Sequence, residues 1–182
     1  MNGPILKGKK VILRPMSLKD AANFVRWFND ETVTRFLGRQ NTGITLNQEK
    51  AYIKKIGNNK EQIIWSIDTK DGVHIGSTDL HSLNLVNKKT DWGIIIGDKN
   101  YWNQGYGQDT LKTVMKYCFN TLKLNRFGLS VYEGNAAGIK CYSKCGLKKE
   151  GVKRQSIYRY GKYWDEIIMS MLKSEYKLLK NK

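Results

Sequence analysis

Leu111, Val114, Met115, Cys118, Phe119 and Leu122 recur at the three-and-four spacing of a helix with one buried face. They follow an apolar run, Asp91-Trp92-Gly93-Ile94-Ile95-Ile96-Gly97, that reads as a strand. The same pattern along the rest of the chain predicts a strand near 9 to 16 and helical segments near 18 to 29 and 47 to 56. It then predicts strands near 62 to 69, 73 to 83 and 90 to 97, with a turn at Asn87-Lys88-Lys89. After the helix that follows Gly107 come a strand at 126 to 132, a short helix from Asn135, and two last strands near 147 to 158 and 163 to 172. The basic tail from Lys173 to Lys182 reads as frayed chain or a short helix.

Nothing in this order marks a domain boundary. There is no internal repeat or proline-rich linker, and the only prolines, Pro4 and Pro15, lie near the start. At 182 residues one domain spanning 1 to 182 is expected, able to bury roughly 70% of its unfolded surface. The cysteines Cys118, Cys141 and Cys145 are odd in number and lack a C-x-x-C pair, so packed thiols are expected and no metal site is. His74 and His81 fall in a predicted strand, where they pack or face solvent; His81, near its end, could also approach an active cleft. The start has no apolar leader core and no run of 18 apolar residues occurs, which predicts a soluble, cytoplasmic protein.

A net charge of +16 narrows the partners without choosing among them. It suits a phosphate-rich ligand, an acidic substrate or the neighbourhood of ribosomal RNA, and equally a solvated surface of biased composition. It argues against a polycationic substrate such as a polyamine unless the cleft is locally acidic. Arg154, Tyr158, Arg159, Tyr160, Lys162, Tyr163 and Trp164 interleave bases and aromatics as single-strand nucleic-acid binders do, but alternation in a hairpin produces the same pattern.

The chemistry concentrates at two junctions. Trp102-Asn103-Gln104-Gly105-Tyr106-Gly107 joins the apolar strand to the helix. Two glycines there permit a tight turn, and the free amides from Gly105 to Asp109 at the positive helix end suit a pyrophosphate. A turn that holds nothing explains the same glycines. Thr110 rules out G-x-G-x-x-G, and no Gly-Lys-Ser/Thr follows, so neither a dinucleotide nor a nucleoside triphosphate is expected. Further on, the strand at 126 to 132 leads through Glu133-Gly134 to an Asn135 cap. Tyr142 follows two helical turns later on the same side, and Gly146 is placed to end the helix in the left-handed region.

Together the two junctions resemble the GNAT acetyltransferase superfamily, whose first motif, Gln/Arg-x-x-Gly-x-Gly/Ala, falls on Trp102 to Gly107. Its second, Asn-x-x-Ala-x-x-x-Tyr-x-x-x-Gly-Phe, falls on Asn135 to Gly146 and Leu147. The hairpin Tyr158 to Asp165 with Met169-Ser170 is similar to that of the ribosomal-protein N-alpha-acetyltransferase-like subgroup. Gly138 and Leu147 replace the usual alanine and aromatic, and Ser130 stands where some members carry a catalytic glutamate.

The resemblance implies an α/β (α+β) fold, a mixed, mostly antiparallel sheet flanked by helices. It implies an N-acetyltransferase that moves acetyl from acetyl-CoA to a primary amine, with no metal. The acceptor is a protein N-terminal alpha-amine or, alternatively, a small molecule such as an amino sugar, nucleotide-linked sugar, antibiotic or polyamine. A non-catalytic, ribosome- or RNA-associated acetyl-CoA-binding module is the alternative outside catalysis. Pantetheine is expected along Ile94, Ile95 and Ile96, with an oxyanion contact from the Ile95 amide, and pyrophosphate on Gln104, Gly105, Tyr106, Gly107, Gln108 and Asp109. Asn135 is expected to touch the coenzyme arm, and Tyr142 to act as the general acid. Asp91 is the candidate base, although a carboxylate of ordinary pKa near ~3.9 needs burial or a water relay to deprotonate an ammonium. Acceptor selection is expected from Trp27, Phe28, Phe36 and Leu37 and from Tyr160 and Trp164. The expected partners are acetyl-CoA and the amine, with a homodimer as an option, no membrane, and nucleic acid only through the ribosome.

Overall fold

Strand alternation along the chain resolves into one eight-stranded sheet in a computed structural model that describes residues 3–38, 43–56 and 62–180. The strands are β1 (Leu6–Lys7), β2 (Val11–Pro15), β3 (Ile63–Thr69), β4 (His74–Asn84), β5 (Lys89–Ile96), β6 (Arg126–Tyr132), β7 (Lys148–Arg159) and β8 (Lys162–Leu172). Their order is β1-β2-β3-β4-β5-β6-β8-β7. All neighbours are antiparallel except β5 and β6, which run parallel. A parallel pair needs a crossover, and the helix predicted after the glycine turn, α4, supplies it. The mixed, mostly antiparallel sheet flanked by helices is the fold expected from the sequence.

The helices are α1 (Ala21–Phe28), α2 (Glu31–Thr34), α3 (Leu46–Ile56), α4 (Tyr106–Lys116), α5 (Ala136–Lys144) and α6 (Lys173–Lys180). Among the described residues, none is long and apolar enough to cross a membrane. Two elements were not foreseen, the two-residue β1 and the single turn α2, because each is too short to show a period. The tail forms α6 as far as residue 180; residues 181 and 182 lie outside the described chain.

Two apolar layers cover the two faces of the sheet, and β3 is buried at every position. On one face Leu111, Val114, Met115, Cys118 and Phe119, with the predicted spacing, pack on Val11, Leu13, Trp65 and Phe127. On the other, Phe24 and Trp27 of α1 and Ile53 of α3 pack with Ile95 of β5. Cys118 and Cys145 are buried, Cys141 is half-buried, and all three are free thiols.

An ionic cluster pins α1 to the sheet. Arg14 on β2 donates to both oxygens of Asp20 at 2.8 Å and to Asp68 at 2.6 Å, while Ser66 donates to Asp20 at 2.7 Å. Burial alone would raise the Asp20 pKa, but the bonds from Arg14, the Ser17 amide and Ser66 outweigh it and hold the carboxyl at about 2. A depressed carboxylate stabilises the fold above its ordinary 3.8 and stops doing so as pH falls towards about 2. Asp20→Asn should therefore cost about 3 kcal/mol at neutral pH, the scale of breaking a buried pair. Thermal denaturation checks this, and the gap to the parent should narrow as pH falls from about 4 towards 2.

Candidate active site

The site begins where the sheet opens. β5 and β6 pair only at Lys89 with Arg126, Thr90 with Phe127 and Asp91 with Gly128, although both strands continue. Beyond that rung β5 stays paired with β4 as far as Ile96 opposite Gly76, so its other edge is left without a strand. Gly97 donates to the Ile75 carbonyl at 2.9 Å, and the Ile95 carbonyl lies against Gly76. Residues of that parity turn their backbone groups to β4, and alternation turns those of Trp92, Ile94 and Ile96 into the gap. The expected amide of Ile95 therefore faces β4, and the outward amides are those of its neighbours.

The glycine turn closes one end of this edge. Gly105 caps α4 with φ of 83°, a conformation that favours glycine, and Asn103 also has positive φ. Trp102 fixes the turn to the strand by donating from its indole to the Ile96 carbonyl at 2.6 Å. The Lys10 ammonium, 2.7 Å from the Gln104 carbonyl, lies over the Tyr106 ring. Gly107 is a different case. A Cβ added there would meet only Ile94 Cδ1, at 3.9 Å, so its bareness leaves open space beside β5.

The amide of Asp109 is not among the open donors of this turn. It donates to the Gly105 carbonyl at 3.0 Å, whereas no described backbone group accepts from Tyr106, Gly107 or Gln108. The Asp109 carboxylate accepts from the amides of Lys9, Lys10 and Val11 at 3.1, 2.7 and 3.1 Å. It ties the β1–β2 turn to α4, and the open donors end at Gln108.

On the same face, α5 carries Tyr142 against β5. Asn135 caps the helix by accepting from the Gly138 amide at 2.9 Å, and a Cβ on Gly138 would crowd that side chain to within 3.0 Å. This accounts for glycine where alanine was expected. The Asn135 amide nitrogen makes no hydrogen bond to a described residue. Tyr142 stands edge-on to Trp92, centroids 5.8 Å apart, and its hydroxyl has no hydrogen-bond partner among the described residues. Burial pushes the phenol above its ordinary value, so it stays protonated through the neutral range. Gly146, with φ of 92°, ends the helix as its sequence position implied.

The opposite face carries a cavity of about 250 Å³ on the α1 and α3 side, lined in part by Phe28, Leu37, Glu49, Tyr52, Gln62 and Asp79, with Gly93 to Ile95 as one wall. Both charged groups lining it, among the described residues, are carboxylates. Among the described residues this cavity is thus locally acidic, in a chain of net charge +16. Asp79 and Glu49 were missed in the sequence. Asp79 falls in an alternating polar set, Ser77, Asp79 and His81, that marks one strand face.

The remaining expected site residues divide. Asp91 is exposed at the last β5–β6 rung, where its carboxylate leans over Gly128; it does not line the cavity. Phe28 and Leu37 line the cavity, but Trp27, 2% exposed, is a packing residue that lies on Gly97 between Phe24 and His74. Phe36, Tyr160 and Trp164 gather in a separate small hollow with Arg35, Tyr132 and Arg159. There Arg159 donates to the Thr34 carbonyl at 3.2 Å and Tyr132 to the Leu37 carbonyl at 3.2 Å, fastening the segment after α1 to the far strands. In the hairpin, Tyr158 packs on Tyr163 across the strands and Lys162 lies over Trp164, the alternation reading of its basic and aromatic residues.

Comparison with known proteins agrees with this geometry. A family model described as an acetyltransferase (GNAT) domain matches residues 10–148. The uncharacterized N-acetyltransferase YoaA of Bacillus subtilis is 30% identical over 93% of this chain and 97% of its own. The spermidine N(1)-acetyltransferase of Vibrio cholerae is 27% identical over 70% of this chain and 73% of its own. The solved structure of a spermidine N-acetyltransferase from Vibrio cholerae, in complex with CoA and spermine, superimposes with a TM-score of 0.85 at 19% identity, covering 92% of this chain and 98% of that one. An opened parallel pair, a glycine turn on a helix N-terminus and a tyrosine packed against β5 thus coincide with a family match over most of the chain, which belongs to the GNAT family of acetyltransferases.

Proposed function

We propose that the protein moves acetyl from acetyl-coenzyme A directly to the primary amine of a small cationic acceptor, with no acetylated enzyme on the way. The coenzyme supplies a thioester, whose carbonyl carbon accepts the amine and whose sulfur departs as a thiol. The residues present suit it. The open amides from Gly105 to Gln108 would hold the pyrophosphate at the positive end of α4. The outward backbone of Trp92, Ile94 and Ile96 would pair with pantetheine as an added strand, and the Asn135 side-chain amide would add a donor. Tyr142 would give its proton to the departing sulfur, and the outward amide of Ile94 would polarise the carbonyl.

The single observation that carries the acceptor class is the sign of the cavity. Glu49 and Asp79 line it without a cation among the described lining residues, in a chain of net charge +16. An acceptor that carries an ammonium besides the reacting amine meets this negative lining with it, whereas a peptide N-terminus brings only the reacting group. The peptide reading also drew on Tyr160 and Trp164, which lie in the other hollow. That a relative acts on spermidine supports the same choice. In a panel of spermidine, an amino sugar and peptide N-termini, following thiol release, spermidine should lead in kcat/KM by roughly tenfold or more, the worth of one added charge-assisted bond. Preference for a peptide would overturn the acceptor class and leave acetyl transfer standing. No thiol release with any amine would favour the non-catalytic module.

A further inference from the structure

Asp79 of the cavity wall and its strand neighbour His81 have a geometry that packing does not require. The His81 imidazole meets Asp79 Oδ2 at 2.9 Å through Nδ1, and Gln62 donates to the same oxygen at 3.2 Å. With Nδ1–H given to the carboxylate, the lone pair rests on Nε2, which has no hydrogen-bond partner among the described residues. The pair lies against Gly93, opposite Asp79 on β5. A Cβ there would stand 2.6 Å from Asp79 Oδ1 and 3.8 Å from His81 Cε1. Glycine inside a central strand is otherwise unfavourable, and here it lets the dyad reach the backbone beside the outward groups of Trp92 and Ile94.

We propose that His81, oriented by Asp79, is the base that takes the proton from the acceptor ammonium at the mouth of the gap. The inference rests on the acetyl-transfer reading. The R–NH3+ nitrogen gives one proton to His81 Nε2 and becomes a neutral amine. Its lone pair forms the C–N bond as the C–S bond breaks. The sulfur takes the Tyr142 proton, and the second proton lost by nitrogen restores the phenol. The products are the N-acetyl amine, free thiol and a proton that His81 returns to water. Asp91, the candidate base that the family resemblance implied, faces His81 from β5 and adds negative charge to it.

The hydrogen bond from Asp79, outweighing burial, raises the His81 pKa above its ordinary 6.5, with further support from the charges of Asp79 and Asp91. Gln62, just before β3, is neutral, and Glu49 of α3 is the other charged group among the described residues that line the cavity. Since the base must be unprotonated, kcat/KM should fall as pH drops through this raised value.

The test is the pH profile of kcat/KM with spermidine, or with whichever amine of the panel the wild type prefers. His81→Gln should lose about 10²- to 10³-fold at neutral pH and lack the histidine limb, with acetyl-coenzyme A affinity unchanged by calorimetry. Asp79→Asn should move the limb to lower pH, because the charge that raises it is gone. His81→Ala should be partly rescued by added imidazole, an outcome that a structural role would not produce and that needs only a folded variant. A wild-type profile retained by His81→Gln, or the absence of imidazole rescue, overturns the base assignment while acetyl transfer stands. A wild type that releases no thiol with any amine overturns both.

Discussion

Gly107→Val is expected to weaken acetyl-coenzyme A binding by about 2 kcal/mol or more, roughly thirtyfold, while the protein stays folded. The two glycines of the turn differ in kind. Gly105 sits at φ of 83°, so a side chain there strains the backbone whatever its surroundings. Gly107 has ordinary dihedrals and open space, with only Ile94 Cδ1 near an added Cβ. A β-branched residue in the first helical turn costs less than about 1 kcal/mol in propensity. The valine would instead occupy the approach to the amides of Tyr106, Gly107 and Gln108, where charge-assisted bonds to pyrophosphate form. Calorimetric titration beside a melting curve separates the effects. Unchanged affinity in a folded variant places the pyrophosphate elsewhere.

Tyr142→Phe should lower kcat by about 10²- to 10⁴-fold and leave coenzyme affinity nearly unchanged. The ring packs on Trp92, and phenylalanine preserves that contact, so little stability is at stake. The hydroxyl, by contrast, has no partner among the described residues and is available to a ligand. Because burial raises its pKa, the phenol should not set a basic limb near neutrality. Normal turnover by Tyr142→Phe makes the residue a packing element and removes its role as acid.

The local parts of the candidate site were legible in the chain. A strand, a glycine turn and a helix follow one another without interruption, and the Asn135 cap, Tyr142 and Gly146 lie within a single short helix and its ends. Their spacing carries their relation. What the sequence hid is what pairing across the sheet creates. Asp79 and His81 meet Gly93 because β4 and β5 are in one particular register, and no local period reports that register. Asp109 looked like an anion-site residue from its place after the turn, yet its carboxylate is filled by three amides from about 100 residues earlier in the chain. Trp27 and Trp164, both chosen as acceptor contacts, went to a core and to a separate hollow for the same reason. Net charge is blind to placement: +16 summed over the chain says nothing of the two carboxylates that line one cavity.

The most direct measurement of the central claim is a paired count, in one reaction with spermidine, of thiol released from acetyl-coenzyme A and of acetyl groups gained by the amine, with the mass of the enzyme followed alongside. The account predicts one acetylated amine for each thiol and no acetylated protein at any time. Thiol release without amine acetylation, or an acetyl group that appears on the enzyme before it reaches the amine, would contradict direct transfer at the opening between β5 and β6.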